Sequence, residues 1–124
     1  MRLLTLLLLF AALLHATEWH KSYTEAKAAA SKSAQPILAL FMREGCPHCD
    51  RLEQESLAHP AIQRAIKEGY TPLWIDTTQN PQAARQMGLN IRGVPTAVIL
   101  EEGRTPRQMV GYRDPMGMMG FLQR

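Results

Sequence analysis

Cysteine is scarce in this chain of 124 residues: there are two, Cys46 and Cys49, and no second pair. A structural zinc site takes about four ligands, and His20 and His59 stand at no spacing that would complete one. Haem attachment needs C-x-x-C-H, and position 50 is Asp50, so that chemistry is excluded. Charge of one sign is lacking too. With 14 basic and 11 acidic residues the formal charge is +3, too small and scattered to argue for nucleic acid. Internal repeats are absent. No apolar run is long enough to span a bilayer comfortably: residues 3–14 offer twelve positions where a span takes ~20.

That apolar stretch follows Met1 and Arg2 and leads to Leu14-His15-Ala16, ending on a small residue suited to a signal-peptidase cut. This is the n-region, h-region and cleavage pattern of a secretory signal. Residues 1–16 are expected to be removed; left uncleaved, they would serve as an anchor. No cysteine lies near the cut, which excludes lipid attachment there. Cleavage takes one of the 14 basic residues, Arg2, leaving 13 against 11 acidic, a formal +2. An exported chain with one cysteine pair matures where disulfides form. The remaining length suits one domain with its own core.

Both cysteines fall in ten residues, 43–52, which read R-E-G-C-P-H-C-D-R-L. An apolar run, Ile37 to Met42, leads in, and a polar helix-like segment leads out. At one helical turn's spacing the two Cα atoms lie within the ~4.4–6.8 Å that a disulfide requires. A staple across a two-residue gap would restrict the unfolded chain little. Catalysis is the better use of a lone pair. A cysteine opening a helix has its thiolate favoured by unpaired backbone N–H groups. Cys46 holds that place and should be the accessible nucleophile; Cys49, one turn inward, should resolve the mixed disulfide. Pro47 suits the first helical position. His48, when protonated, would stabilise the reduced form and raise the reduction potential.

The rest of the chain reads as alternating helix and strand. Trp19, Tyr23, Ala26 and Ala30 recur at helical spacing, predicting a packing helix over 18–33. Gln35-Pro36 breaks it, and residues 37–42 follow as a strand buried on both faces. A helix over 50–57 is interrupted at His59-Pro60; Ile62, Ala65 and Ile66 give the next helix a core face, with Gly69 as its stop. A strand over 70–76 has Pro72 at its start or edge. Asn80-Pro81 should open a short helix ending at Gly88. Residues 96–100 form a third strand, 101–104 a turn, and 108–110 an antiparallel fourth. Asp114-Pro115 caps a last helix that Gly117 and Gly120 weaken. The class is α/β: a central mixed four-stranded sheet with helices on both faces.

The C-P-H-C at 46–49 after an apolar strand, with Gly93-Val94-Pro95-Thr96 before the next strand, resembles the thioredoxin superfamily. Trp19, the run A-K-A-A-A-S-K-S-A-Q-P-I-L and Gly111-Tyr112 are similar to small exported members and to the C-terminal thioredoxin domain of the DsbD electron carrier. The resemblance covers roughly 18–124, so 17–124 is expected to be one thioredoxin-like domain. It implies a cis bond before Pro95, a loop facing the disulfide, and a substrate surface made by Gly93, Val94, Pro95 and Thr96. A substrate strand could then pair with the main chain of Val94. The implied activity is exchange of disulfides with protein substrates and a redox partner protein. It needs no cofactor or nucleic acid, and the protein would act as a monomer in the bacterial periplasm, with no stable membrane insertion after cleavage.

Two family residues are missing. The family usually carries a buried acid six residues before the first cysteine and a tryptophan directly before it; here stand Leu40 and Gly45. Proton removal from Cys49 would then use water or another group, such as Glu44 if it reaches. The C-P-H-C dipeptide matches DsbA-type oxidases, yet the chain is too short for their helical insertion. A second function class starts from Met109, Met116, Met118 and Met119: soft ligands that could make a copper-binding module, although methionines more often fill a core. A redox-inert module using the proline groove is a third.

Overall fold

A computed structural model describes residues 18–123; the segment expected to be a signal, 1–16, lies outside them. The elements are α1 (Tyr23–Ser33), β1 (Ile37–Met42), α2 (Pro47–Arg51) running on into a π-helical turn (Leu52–Leu57), α3 (Pro60–Gly69), β2 (Thr71–Asp76), α4 (Ala83–Gln86), β3 (Thr96–Leu100), β4 (Arg107–Val110) and α5 (Pro115–Leu122). One mixed sheet has the order β2-β1-β3-β4, with β1 parallel to β2 and antiparallel to β3, and β3 antiparallel to β4. Helices cover both faces, as expected.

β1 is the spine. It is flanked on both sides, and all six of its residues are buried, which is why its apolar run does not alternate. Side chains still alternate between faces. Leu38, Leu40 and Met42 join both cysteines, Leu52, Ile62, Ile66, Tyr70, Met118 and Leu122 in one cluster, under α2, α3 and α5. Ile37, Ala39 and Phe41 join Leu73, Ile75, Val98, Ala26 and Ala83 on the other, under α1 and α4. The first is called the site face below.

The first helix starts five residues later than its apolar spacing suggested. Ser22 is extended and caps the helix, its Oγ accepting from the Glu25 N–H at 3.4 Å. The backbone upstream is already used: His20 donates to Pro72 O at 2.9 Å and accepts from the Trp74 N–H at 2.8 Å, covering the outer edge of β2. Trp19 therefore leaves the stripe of Tyr23, Ala26 and Ala30. It packs on the site face, edge-to-face with Trp74 at 5.6 Å between centroids.

Three further differences have local causes. The segment after the cysteines is α-helical only to Arg51; the Ala58 N–H then reaches back five residues to Glu53 O at 3.1 Å. This wider turn buries Leu52, Ser56 and Leu57 together. The short helix opens at Ala83 rather than at Pro81, because Asp76 takes the preceding residues into a turn, its Oδ1 accepting from the N–H groups of Thr78 and Gln79 at 2.8 and 3.0 Å. The second strand begins at Thr71, since Tyr70 is the C-cap of α3, its N–H donating to Ile66 O. In α5 the Asp114 cap accepts from the Gly117 N–H at 2.8 Å, and the helix runs through both glycines to Leu122.

Candidate active site

The site forms where β1 ends. Arg43-Glu44-Gly45 turns the chain, and Gly45 adopts φ +70°, a left-handed conformation that costs glycine nothing. The turn delivers Cys46 as the N-cap of α2 in extended conformation, with Pro47 at the first helical position. Cys46 O accepts the first helical bond from the Asp50 N–H at 3.0 Å. Cys46 and Cys49 are joined by a disulfide, their Cα atoms 5.2 Å apart. The Cys46 sulfur also accepts from the Cys49 N–H at 3.2 Å, so one backbone donor points at it.

Exposure does not separate the two sulfurs in this disulfide form: Cys46 is 3% and Cys49 2% exposed. The greater accessibility expected of Cys46 is therefore absent here. The loop opposite lies close, its Val94 carbonyl oxygen 3.9 Å from the Cys46 sulfur.

That loop is the G-V-P-T stretch. The Val94–Pro95 peptide bond is cis. Pro95 is fully buried and Val94 half-buried, while Gly93 is exposed. The buried Thr96 hydroxyl donates to Gly93 O at 2.7 Å and bends the loop, and Pro95 O accepts from the Gly111 N–H at 2.8 Å. The structure thus brings Val94 to Cys46. It leaves His48 and Glu44 on the exposed surface of the turn and first helical turn. Leu40 is fully buried on the site face. The buried polar side chains among the described residues are Ser56, Thr71 and Thr96, none of them an acid. Glu44 is exposed, so the site face holds no buried acid in Leu40's place.

Three of the four C-terminal methionines pack in or against the site-face core, and the fourth stands in solvent. Met109 and Met118 are core residues, Met119 packs at the edge of the same cluster, and Met116 is 83% exposed. No group of three or more His, Cys, Asp or Glu side chains among the described residues could hold a metal ion.

One group escaped the sequence reading. Below the cysteines, Arg51 and Glu55 form an ion pair at 3.1 Å, and the Arg51 guanidinium lies 4.0 Å from the ring centre of Tyr112. The Tyr112 hydroxyl donates to Glu55. That hydrogen bond, then Arg51, hold the Glu55 carboxyl below the ordinary glutamate range, while the Glu55 carboxylate pushes the Tyr112 phenol up. One residue on, the buried Ser56 hydroxyl donates to Arg113 O at 2.5 Å. The i,i+4 spacing of Arg51 and Glu55 was visible in the sequence. Their meeting with Tyr112, 61 and 57 positions away, was not.

A family model described as thioredoxin-like matches residues 18–101. The chain belongs to the thioredoxin-like family. Among solved structures, a thioredoxin from Thermus thermophilus is similar at 20% identity and TM-score 0.73, covering 87% of this chain and 85% of that one. The oxidised DsbD C-terminal domain of Neisseria meningitidis is similar at 18% identity and TM-score 0.64, covering 84% and 96%. Trxlp from Edwardsiella tarda is similar at 22% identity and TM-score 0.64, covering 86% and 100%. Comparison with curated proteins gives no significant match. A thioredoxin-like chain with a C-x-x-C pair at disulfide distance carries the apparatus of a thiol–disulfide oxidoreductase. In this thioredoxin-like protein the residue before the first cysteine is glycine, and the turn it occupies is left-handed, a conformation that disfavours a tryptophan there.

Proposed function

We propose that this protein exchanges disulfides with other proteins, with Cys46 as the attacking sulfur and Cys49 as the resolving one. The observation that carries the assignment is the Cys49 N–H donating to the Cys46 sulfur at the N-cap of α2. A backbone donor there favours negative charge on Cys46 over its partner. In the reducing direction the Cys46 thiolate attacks a substrate disulfide, forming a mixed disulfide and releasing one substrate thiolate. The Cys49 thiolate then attacks Cys46, releasing the second substrate thiolate and closing the Cys46–Cys49 bond. Two electrons pass to the substrate, and the two thiolates leaving it take up protons from water. The steps reverse when a substrate dithiol meets the disulfide, and no cofactor enters.

Val94 and Pro95, with Gly93 and Thr96 shaping their loop, are the surface on which a substrate strand lies, paired through the main chain of Val94. Pro47 starts the site helix. His48 tunes the potential by placing a cation on the first helical turn when protonated. Residues 1–16 act as a signal for export to the bacterial periplasm, and 17–124 are the working domain. A redox partner protein renews the dithiol or the disulfide.

The test is insulin reduction driven by dithiothreitol together with trapping in cells. Cys46→Ser should lose the activity, and Cys49→Ala should accumulate mixed disulfides that a reducing gel releases. A Cys46→Ser variant that still reduces insulin would defeat the assignment. The exported protein should have Thr17 at its N-terminus by mass; an intact Met1 would defeat cleavage.

A further inference from the structure

The wall opposite Cys46 is not held by its own loop alone. Pro95 O accepts from the Gly111 N–H at 2.8 Å, just beyond the last β3–β4 pair, Thr96 with Val110. Gly111 has φ +85°, and it turns the chain into Tyr112 and Arg113. Those two residues are tied to the site helix. The Tyr112 hydroxyl donates to Glu55, its ring lies under Arg51, and Arg113 O accepts from the buried Ser56 hydroxyl. The Arg113 side chain braces the turn from within, its Nη1 donating to Val110 O at 3.1 Å and Tyr112 O at 2.9 Å. Arg51, Glu55 and Ser56 follow Cys49 in one continuous helical run. The contacts close a ring: Cys46, Val94-Pro95, Gly111, Tyr112-Arg113, Glu55-Ser56, and back along the helix to Cys49.

We propose that Tyr112, through its bond to Glu55, is a positioning residue that sets the separation between the Val94–Pro95 wall and the Cys46 sulfur. This rests on the reading of Cys46 and Val94 as the substrate site. The mechanism is geometric. A substrate strand must fit between wall and sulfur with its disulfide in line, so a loosened wall weakens binding of an extended protein substrate. A small disulfide needs no wall and is served by the sulfur alone. Glu55 is exposed and Tyr112 is half-buried against the site-face cluster, so removing the Tyr112 hydroxyl while keeping its ring tests the contact without opening the core. Ser56, fully buried, would confound ring and core.

The experiment compares insulin with bis(2-hydroxyethyl) disulfide as substrates of the full domain. Tyr112→Phe keeps the ring under Arg51 and removes only the hydroxyl. It should lower the ratio of kcat/KM for insulin to that for the small disulfide by about fivefold, through KM, as loss of one exposed charge-assisted hydrogen bond would. Glu55→Leu should lower it equally, Glu55→Gln should restore most of it by keeping an acceptor, and Tyr112→Phe with Glu55→Leu should do no more than either alone. An unchanged ratio in both single variants overturns the positioning role and leaves the site reading intact. A loss that falls equally on both substrates, or on kcat, also overturns it. Insulin reduction by Cys46→Ser would overturn the site reading and this role together.

Discussion

The two faces of the sheet are built differently from the same strand. The opposite face is covered by α1 and the single turn α4, and much of its contact is made by small residues: Ala26, Ala39, Ala83. The site face has three helices, both cysteines, both tryptophans and the larger cluster. It also has the hydrogen bonds that cross the chain, Ser56 to Arg113 and Tyr70 to Leu122. Both faces gather residues from distant segments, Ala26 meeting Val98 on the opposite one, but there the meeting is by apolar packing. A face that presents a reactive pair has to be pinned from distant segments, because a small shift beside a sulfur changes what can reach it.

Neighbouring residues of β1 offer the strongest test of that contrast. Leu40 and Phe41 are both buried and point to opposite faces. Leu40→Ala should cost ~2–5 kcal/mol and Phe41→Ala ~3–5 kcal/mol in urea unfolding. Only Leu40→Ala, in the cluster with both cysteines, should also change the rate of thiol alkylation in the reduced protein. Equal changes in alkylation would mean that the faces are not independent.

Ser56→Ala should come next. It leaves the Arg113 carbonyl without its buried donor and costs ~1–3 kcal/mol by the same measurement. A loss near zero would remove Ser56 from the pinning. His48→Leu acts on the site face alone and should leave unfolding unchanged. It should lower the reduction potential in a glutathione titration by about 30 mV, equivalent to ~1.4 kcal/mol for two electrons. An unmoved potential would take His48 out of the mechanism.

The smallest effect is the pH response of the surface pair. The folded Glu55 carboxyl titrates below its ordinary range, so its contribution is complete above that range and fades as pH falls through the lowered value. The Tyr112 phenol is raised, so its contribution holds below ~10 and fades as pH rises past the raised value. Both groups are exposed, which keeps the effect small. Acid unfolding of Tyr112→Phe should begin at slightly higher pH than that of the unaltered protein; coincident curves would show that Glu55 gains nothing from the bond.

Much of this was legible in the residues, for physical reasons. The apolar run of β1, the prolines at 47, 60 and 115, the Asp114 cap and the C-x-x-C spacing are local signals, and each placed its element close to where it lies. The errors had two sources. His20 joined the distant β2 and shortened α1, and Asp76 drew the residues just after it into a local turn. The Tyr112–Glu55 and Ser56–Arg113 bonds join segments 57 positions apart, which no local pattern encodes. The loop facing the disulfide, 48 residues from Cys46, was legible through the G-V-P-T motif, whereas how closely it lies on the sulfur was not.

Two sulfurs that share one disulfide and nearly the same burial should be unequal nucleophiles once reduced. Limiting iodoacetamide applied to the fully reduced protein across pH, with the modified cysteine identified by peptide mass, measures that inequality directly. Cys46 should be modified first, its reactivity titrating well below the ~8.5 of a free cysteine. Modification of Cys49 first, or a Cys46 titration at ~8.5 or above, would contradict it.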